Sequence, residues 1–204
     1  MHFPDLLQDR LSQRLPGPDA QLVMSPRGRP RIDDLDNNPC REAGVLALLH
    51  ASEGGPCVVL IERPGHLKKH AGQVAFPGGR REGEESRRDA ALRETWEEIG
   101  VRPETIAPLG ALTPLFVPPS GFCVYPFVGW IEALPPLRLE PGEVASAFSV
   151  PLARFVDGPR ELVDMPRLSR QVPAFRHDEY VIWGATAMML AELAAVAEPV
   201  LPRG

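Results

Sequence analysis

Apolar residues recur along this chain with two periods, and the changes between them mark out its elements. In "FPDLLQDRLSQRL", Leu7, Leu11 and Leu15 fall every fourth residue, the spacing of an amphipathic helix. Residues 16–42 lose this period, are rich in Pro, Gly, Asp and Asn, and predict an irregular connection. The apolar runs "AGVLALLH" and "CVVLIER" flank "ASEGGP" and predict a hairpin. "HLKKHAGQVAFPGG" predicts a basic loop and then a short strand. "TIAPLGALTPLF" and "FCVYPFVGWIEA" predict two further strands around the proline loop "VPPSG". "EVASAFSVPLARF" fits a strand and turn, or one helical turn. "ELVDMPRLSRQVPAFRHD" fits a strand pair, and "YVIWGATAMMLAELAAVA" an apolar, Ala-rich terminal helix. Strands on both sides of a central helix, closed by a packed terminal helix, imply an α/β fold with a mixed β-sheet sandwiched between α-helices.

The central helix is the most polar element. Ser86, with Asp89 three residues later, resembles a capping box, and Gly100 suits the left-handed position beyond a helix end, so the helix should run from Arg87 to Ile99. At 100° per residue, Leu92, Thr95, Trp96 and Ile99 share a face expected to pack on the sheet. Glu94, Glu97 and Glu98 lie on the other side. Like charges at this spacing repel by a few tenths of a kcal/mol per pair, by analogy with measured helix pairs. A bound Mg²⁺ or Mn²⁺, which takes oxygen ligands and keeps places for water and phosphate, would reverse that cost. A solvated acidic face is the plain alternative. Two neighbours favour the cation: "FPGG", whose glycines allow close backbone approach, and the basic run with Arg63, His66, Lys68, Lys69 and His70. A cation and basic side chains together are what a metal–phosphate complex needs.

Composition restricts the class. The chain has 204 residues, 44% hydrophobic and 24% charged, enough for one sizeable core. A net charge of −5 argues against nucleic acid as partner. No apolar run approaches the roughly 20 residues of a membrane span. Cys40, Cys57 and Cys123 form no CxxC pair, and with an odd count and no secretory signal they read as reduced thiols of a cytoplasmic protein. Cys123 reads as a small buried hydrophobe, Trp96 and Trp183 as core residues, and His177 as structural or at a strand end. His66 reads as a loop residue.

The spacing around the helix resembles a known motif. Gly79, five residues, Glu85, seven residues, then Arg93-Glu94-Thr95-Trp96-Glu97-Glu98-Ile99-Gly100-Val101 is similar to the Nudix box of Nudix hydrolases, with Thr95 where the family has an aliphatic residue. "VLIERPGHLKKHAGQVAFPGG", Val59 to Gly79, resembles the signature of the coenzyme A pyrophosphatase branch. Arg63, Gly72, Phe76, Pro77, Gly78 and Gly79 match it; Ile61, Pro64 and Lys68 replace Thr, Ser and Arg. Lys keeps the charge but not the two-pronged phosphate grip.

The resemblance implies a Nudix fold over residues 43–198, with residues 1–42 packed on the domain and 199–204 as a tail. It implies hydrolysis of a nucleoside diphosphate linked to another group; for coenzyme A the products are 3′,5′-ADP and 4′-phosphopantetheine. It assigns Mg²⁺ or Mn²⁺ to Glu94, Glu97 and Glu98, with the Gly78 carbonyl a further ligand. It makes Arg93, paired with Glu85, the orienter of these carboxylates. Glu97, Glu98 and Glu143, the last in "PGEVASAF", are candidates for the base. Arg63, Lys68, His70, Gly72 and Phe76 are the expected substrate contacts. A small molecule is the partner, and a homodimer is left open. The alternatives are a Nudix hydrolase of ADP-ribose, NADH or another nucleoside diphosphate derivative, and a catalytically silent nucleotide sensor, a class in which the box glutamates are commonly lost.

Overall fold

The computed structural model describes residues 2–26, 40–66, 72–158, 160–165 and 169–202. At its centre is a mixed sheet of eight strands. β1 (Arg41–His50) runs parallel to β7 (Phe122–Ile131) and antiparallel to β2 (Cys57–Glu62), which pairs in turn with β3 (Val74–Ala75) and β8 (Ser146–Pro151). β4 (Gly78–Arg80) pairs with β1, and β5 (Ala107–Ala111) and β6 (Leu115–Val117) pair with β7. A separate three-stranded sheet holds β9 (Arg160–Met165), β10 (Arg170–His177) and β11 (Tyr180–Trp183).

The central strands are apolar on both faces because each face carries its own core. Ala47 and Leu49 of β1, with Val58 and Leu60 of β2, point to one side. There they meet α1 (Phe3–Leu11), Met24 and α5 (Gly184–Ala197). Leu46 and Leu48, with Val59 and Ile61, point to the other, against Ala91 and Ile99 of α3 (Arg87–Ile99). This alternation is the two-residue period of a strand buried on both sides. α5 is buried nearly all round, as its Ala-rich, uniformly apolar sequence requires.

Several expectations need correction. The stretch from Tyr180 is not all helix: Tyr180–Trp183 is β11, and Gly184, at φ +65°, turns the chain into α5. The connection after α1 carries a short helix, α2 (Pro18–Gln21), and a 3₁₀ turn at Leu22–Met24. It is fastened from inside: Glu192 of α5, fully buried, accepts hydrogen bonds from Gln21 Nε2 at 2.8 Å and Thr113 Oγ1 at 2.6 Å. "TIAPLGALTPLF" holds two strands, β5 and β6. After β8 the chain forms both a turn and the short helix α4 (Ala153–Asp157).

The cysteines differ most from expectation. Cys40 and Cys123 form a disulfide with Cα atoms 5.6 Å apart. They are 83 residues apart in sequence, and their adjacency follows from the parallel register that sets Arg41 beside Phe122 and Glu42 beside Cys123. Cys57 alone is free; it is buried, and burial pushes its thiol pKa up.

Candidate active site

α3 has the bounds its capping signals predict. The Ser86 hydroxyl accepts the Asp89 N–H at 3.1 Å, and Gly100 takes the left-handed conformation at φ +76°, donating to the Trp96 carbonyl. Its buried face is the predicted one only in part: Thr95 and Ile99 are buried and Leu92 packs at the edge of the core, but Trp96 does not turn inward. Ala90, Ala91, Thr95, Glu98 and Ile99 turn inward, whereas Trp96 is 53% exposed. The cause lies on β1. A Cβ at Gly44 would stand 1.9 Å from the Arg87 carbonyl oxygen, so Gly44 lets the first turn of α3 settle directly on the strand. Small Ala90 and Ala91 fit that close approach. Trp96 is left in an open groove with Leu92, Pro103, Arg138 and Leu139. Thr95, in the place of an aliphatic residue, is buried and satisfies its hydroxyl on the Ala91 carbonyl at 2.7 Å.

This rotation carries Glu98 into the protein. Its side chain is 1% exposed, and its Oε2 accepts the Gly78 N–H at 2.9 Å. Arg63 Nη1 stands 3.5 Å from its other oxygen. Burial pushes the Glu98 pKa up to about 8; the Gly78 N–H and Arg63 pull it down, and Glu94 and Glu143 add to the rise. Glu94 is raised as well, mainly by burial and against the opposing pull of Arg93. Gly79 is what admits Glu94: a Cβ there would lie 2.4 Å from the Glu94 carboxyl carbon.

Glu143 arrives from far along the chain. The last carbonyls of a helix lack intrahelical partners. Here the Arg138 N–H donates to Ile99 O and the Glu140 N–H to Glu98 O, each at 3.0 Å. The strap thus tied across the end of α3 turns back through Glu143 N–H to Glu140 O, also 3.0 Å, and is anchored by buried Val144. Carboxylate oxygens of Glu94, Glu98 and Glu143 then lie within 4.8 Å of one another.

Glu97 stands outside that trio. It is half exposed, and its carboxylate takes Arg93 Nη1 at 2.8 Å. Arg93 also reaches Glu94 at 3.0 Å and grips Glu85 with Nε at 3.1 Å and Nη2 at 2.9 Å. Those bonds hold the Glu85 pKa down. Arg63 and Gly72 close the neck of the basic loop, Gly72 N–H donating to Arg63 O and Arg63 N–H to Gln73 O, both at 3.0 Å. Phe76 is 2% exposed and packs in the core on the α5 side. Lys68 and His70 lie outside the described residues. His177 ends β10, where its ring stacks near Phe148. Trp183, expected in the core, is half-buried at the end of β11.

Three carboxylates, one almost wholly buried and facing the other two, suit a hard divalent cation: the donors are all oxygen, and a cation would favour the ionised form against the burial, and the lesser mutual repulsion, that raises Glu94 and Glu98. The same residues match a family model. The NUDIX domain model aligns with residues 41–170. The chain belongs to the Nudix family. Similar curated proteins are "Uncharacterized Nudix hydrolase NudL" of Salmonella heidelberg, 36% identical over 170 residues, and the protein of that name from Salmonella paratyphi B, 40% identical over 170 residues; each alignment covers 81% of this chain and 87% of the relative. In fold the chain is similar to a Nudix hydrolase from M. smegmatis, RenU, with a TM-score of 0.55 at 14% identity over 85% of this chain and 94% of that one. A MutT/nudix family protein from Enterococcus faecalis gives a TM-score of 0.53 at 18% identity, covering 80% and 64%. As a Nudix hydrolase the protein acts on the pyrophosphate bond of nucleoside diphosphate derivatives. Enzymes of this family generally use divalent metals such as Mg²⁺ or Mn²⁺. No helix among the described residues is long and apolar enough to cross a membrane.

Proposed function

We propose that the protein is a metal-dependent coenzyme A diphosphatase, cleaving coenzyme A or its derivatives to 3′,5′-ADP and 4′-phosphopantetheine or its acyl form. The observation that carries the reading is Arg63, a matching residue of the coenzyme A signature, standing at the neck of the basic loop 3.5 Å from Glu98. Glu94, Glu98 and Glu143 would hold the cation, with Glu97 and the Gly78 carbonyl as further ligands. When bound, the cation neutralises diphosphate charge and makes a coordinated water more acidic.

The chain's own groups do the rest. Arg93 fixes Glu94 and Glu97, while the Gly78 N–H fixes the rotamer of Glu98. Arg63 is 28% exposed, and donors not engaged with Glu98 would be available to the diphosphate. Glu143, exposed on the strap, is the proposed acceptor of the attacking water's proton; Glu97 and Glu98 are the alternative acceptors. The leaving group is itself a phosphate and needs little help from an acid.

A substrate panel tests the reading. Coenzyme A, dephospho-coenzyme A and ADP-ribose are each incubated with Mg²⁺, and products are identified by mass spectrometry. Coenzyme A should have the highest kcat/KM, since its 3′-phosphate meets cationic groups that the other two cannot engage. Equal rates on all three would remove the coenzyme A assignment and leave a general nucleoside diphosphate hydrolase.

A further inference from the structure

Glu42 lies on β1, outside the Nudix motif, yet three arginine contacts converge on its carboxylate. Oε2 accepts Arg81 Nη1 at 3.1 Å; Oε1 accepts Arg87 Nε at 2.9 Å and also meets Arg87 Nη2. The backbone carbonyl of Glu42 accepts the Arg81 N–H at 3.0 Å. Glu42 therefore ties β1 both to the turn of residues 81–86 and to the first turn of α3.

The contacts continue inward. Arg81 Nε donates to the Glu85 carbonyl at 2.5 Å. The Glu85 carboxylate holds Arg93 through two hydrogen bonds, and Arg93 holds Glu94 and Glu97. An unbroken series of hydrogen bonds, most of them charge-assisted, thus runs from Glu42 to a carboxylate of the cluster. Isolated surface ion pairs contribute little, but networks with two-pronged arginines are the exception. The outer end is firm. Glu42 pairs with Cys123 in the parallel ladder, Cys123 is bonded to Cys40, and Arg87 lies over the Tyr125 ring of β7 at 3.9 Å. The turn between has few bonds of its own, Glu82 N–H to Glu85 Oε1 at 2.7 Å and Glu85 N–H to Glu82 O at 3.3 Å.

We infer that Glu42 is a positioning residue for the cation-binding carboxylates, setting the orientation of Glu94 through Arg81, Glu85 and Arg93; this rests on Glu94, Glu98 and Glu143 being the cation site. Partners outside a metal's own ligands typically change affinity by ~10- to 100-fold when lost. Glu42 is several links removed, so a smaller effect is expected.

The test compares Glu42→Gln with Glu84→Gln. Glu84 is an exposed acid of the same turn that makes no hydrogen bond or ion pair with any described residue. Both changes remove one negative charge, but only the first cuts the series. Mn²⁺ binding is measured by electron paramagnetic resonance, alongside kcat, KM and Tm. Glu42→Gln should weaken Mn²⁺ binding about fivefold and lower kcat about tenfold, with KM within about twofold, while Glu84→Gln stays near wild type. Combined with Arg93→Ala, Glu42→Gln should add no further loss, because the series is already broken. Arg81→Gln cuts it from the other side and should repeat the result, which covers the case of a poorly folding Glu42 variant. Equal effects of Glu42→Gln and Glu84→Gln, or a fall in Tm with Mn²⁺ affinity unchanged, would overturn the inference. Wild-type protein that takes up no Mn²⁺ would overturn the cation site itself and the role of Glu42 with it.

Discussion

Replacing Glu98 with Gln should make the metal-free protein more stable at alkaline pH, even as it should lower activity. The Glu98 pKa rises from 4.5 to about 8 on folding, chiefly through burial. A carboxyl raised in this way is protonated in the folded state while the unfolded chain is already ionised. Its full contribution to stability is present below pH 4.5 and is lost as pH rises through about 8. Each pH unit inside that window costs about 1.4 kcal/mol, so between pH 6 and pH 8 the loss is about 2 kcal/mol once partial titration near pH 8 is allowed for. Glu94 is raised too and acts in the same direction. Glu42 and Glu85 have lowered values and titrate below this range. For a chain of this size about 2 kcal/mol corresponds to roughly 4–8 °C in Tm. Gln keeps the shape and the acceptor for the Gly78 N–H but cannot ionise. Thermal melts in chelator at pH 6, 7 and 8 should therefore show wild type losing about 4–8 °C more than Glu98→Gln over the range. Mg²⁺ at pH 8 should recover the loss in wild type, since a cation favours the ionised carboxylate. Parallel Tm profiles for the two proteins would refute the assignment of a buried, proton-holding Glu98.

Two further outcomes follow from local geometry. Gly79→Ala should lower kcat by ~10-fold or more with Tm little changed, because the new Cβ displaces the Glu94 carboxylate while the backbone at that position accepts an L-residue; wild-type kinetics would contradict the close contact. Unfolded without reductant, the protein should release one titratable thiol per chain, Cys57, and three after reduction. Reduction should also lower Tm, since closing a loop of this size is worth about 4–5 kcal/mol in chain-entropy terms; three thiols without reductant would show that the bond is absent.

α3 and its acids could be read from sequence because their determinants are local: Ser86 and Gly100 set the ends, and Arg93, Glu94, Glu97 and Glu98 are spaced by the helix itself. Which face turns inward was legible only in part: Thr95 and Ile99 are buried as expected, but Trp96 is not and Glu98 is. Leu92, Thr95, Trp96 and Ile99 form an apolar stripe, but the depth of packing is set by Gly44, 43 residues before Arg87. Close approach rewards Ala90 and Ala91 and leaves Trp96 outside. Glu143 is marked in the sequence only by the family resemblance; its place depends on backbone bonds from Arg138 and Glu140 to the end of α3, which no spacing encodes. The Cys40–Cys123 bond and the role of Glu42 share one cause, the parallel pairing of β1 with β7. At the other end of the chain, Gly184 divided a run whose composition reads as continuous helix.

The central claim is that Glu98, with Glu94 and Glu143, holds the cation that drives diphosphate hydrolysis. Its most direct test is the turnover of coenzyme A by wild type and Glu98→Gln, each stripped with chelator and then supplied with Mg²⁺. Wild type should be inactive in chelator and regain activity with Mg²⁺. Glu98→Gln should stay at least ~100-fold lower in kcat at saturating Mg²⁺, as expected when several kcal/mol of transition-state charge stabilisation are lost. Turnover by Glu98→Gln at near wild-type rate, or wild-type activity that survives chelation, would contradict the claim.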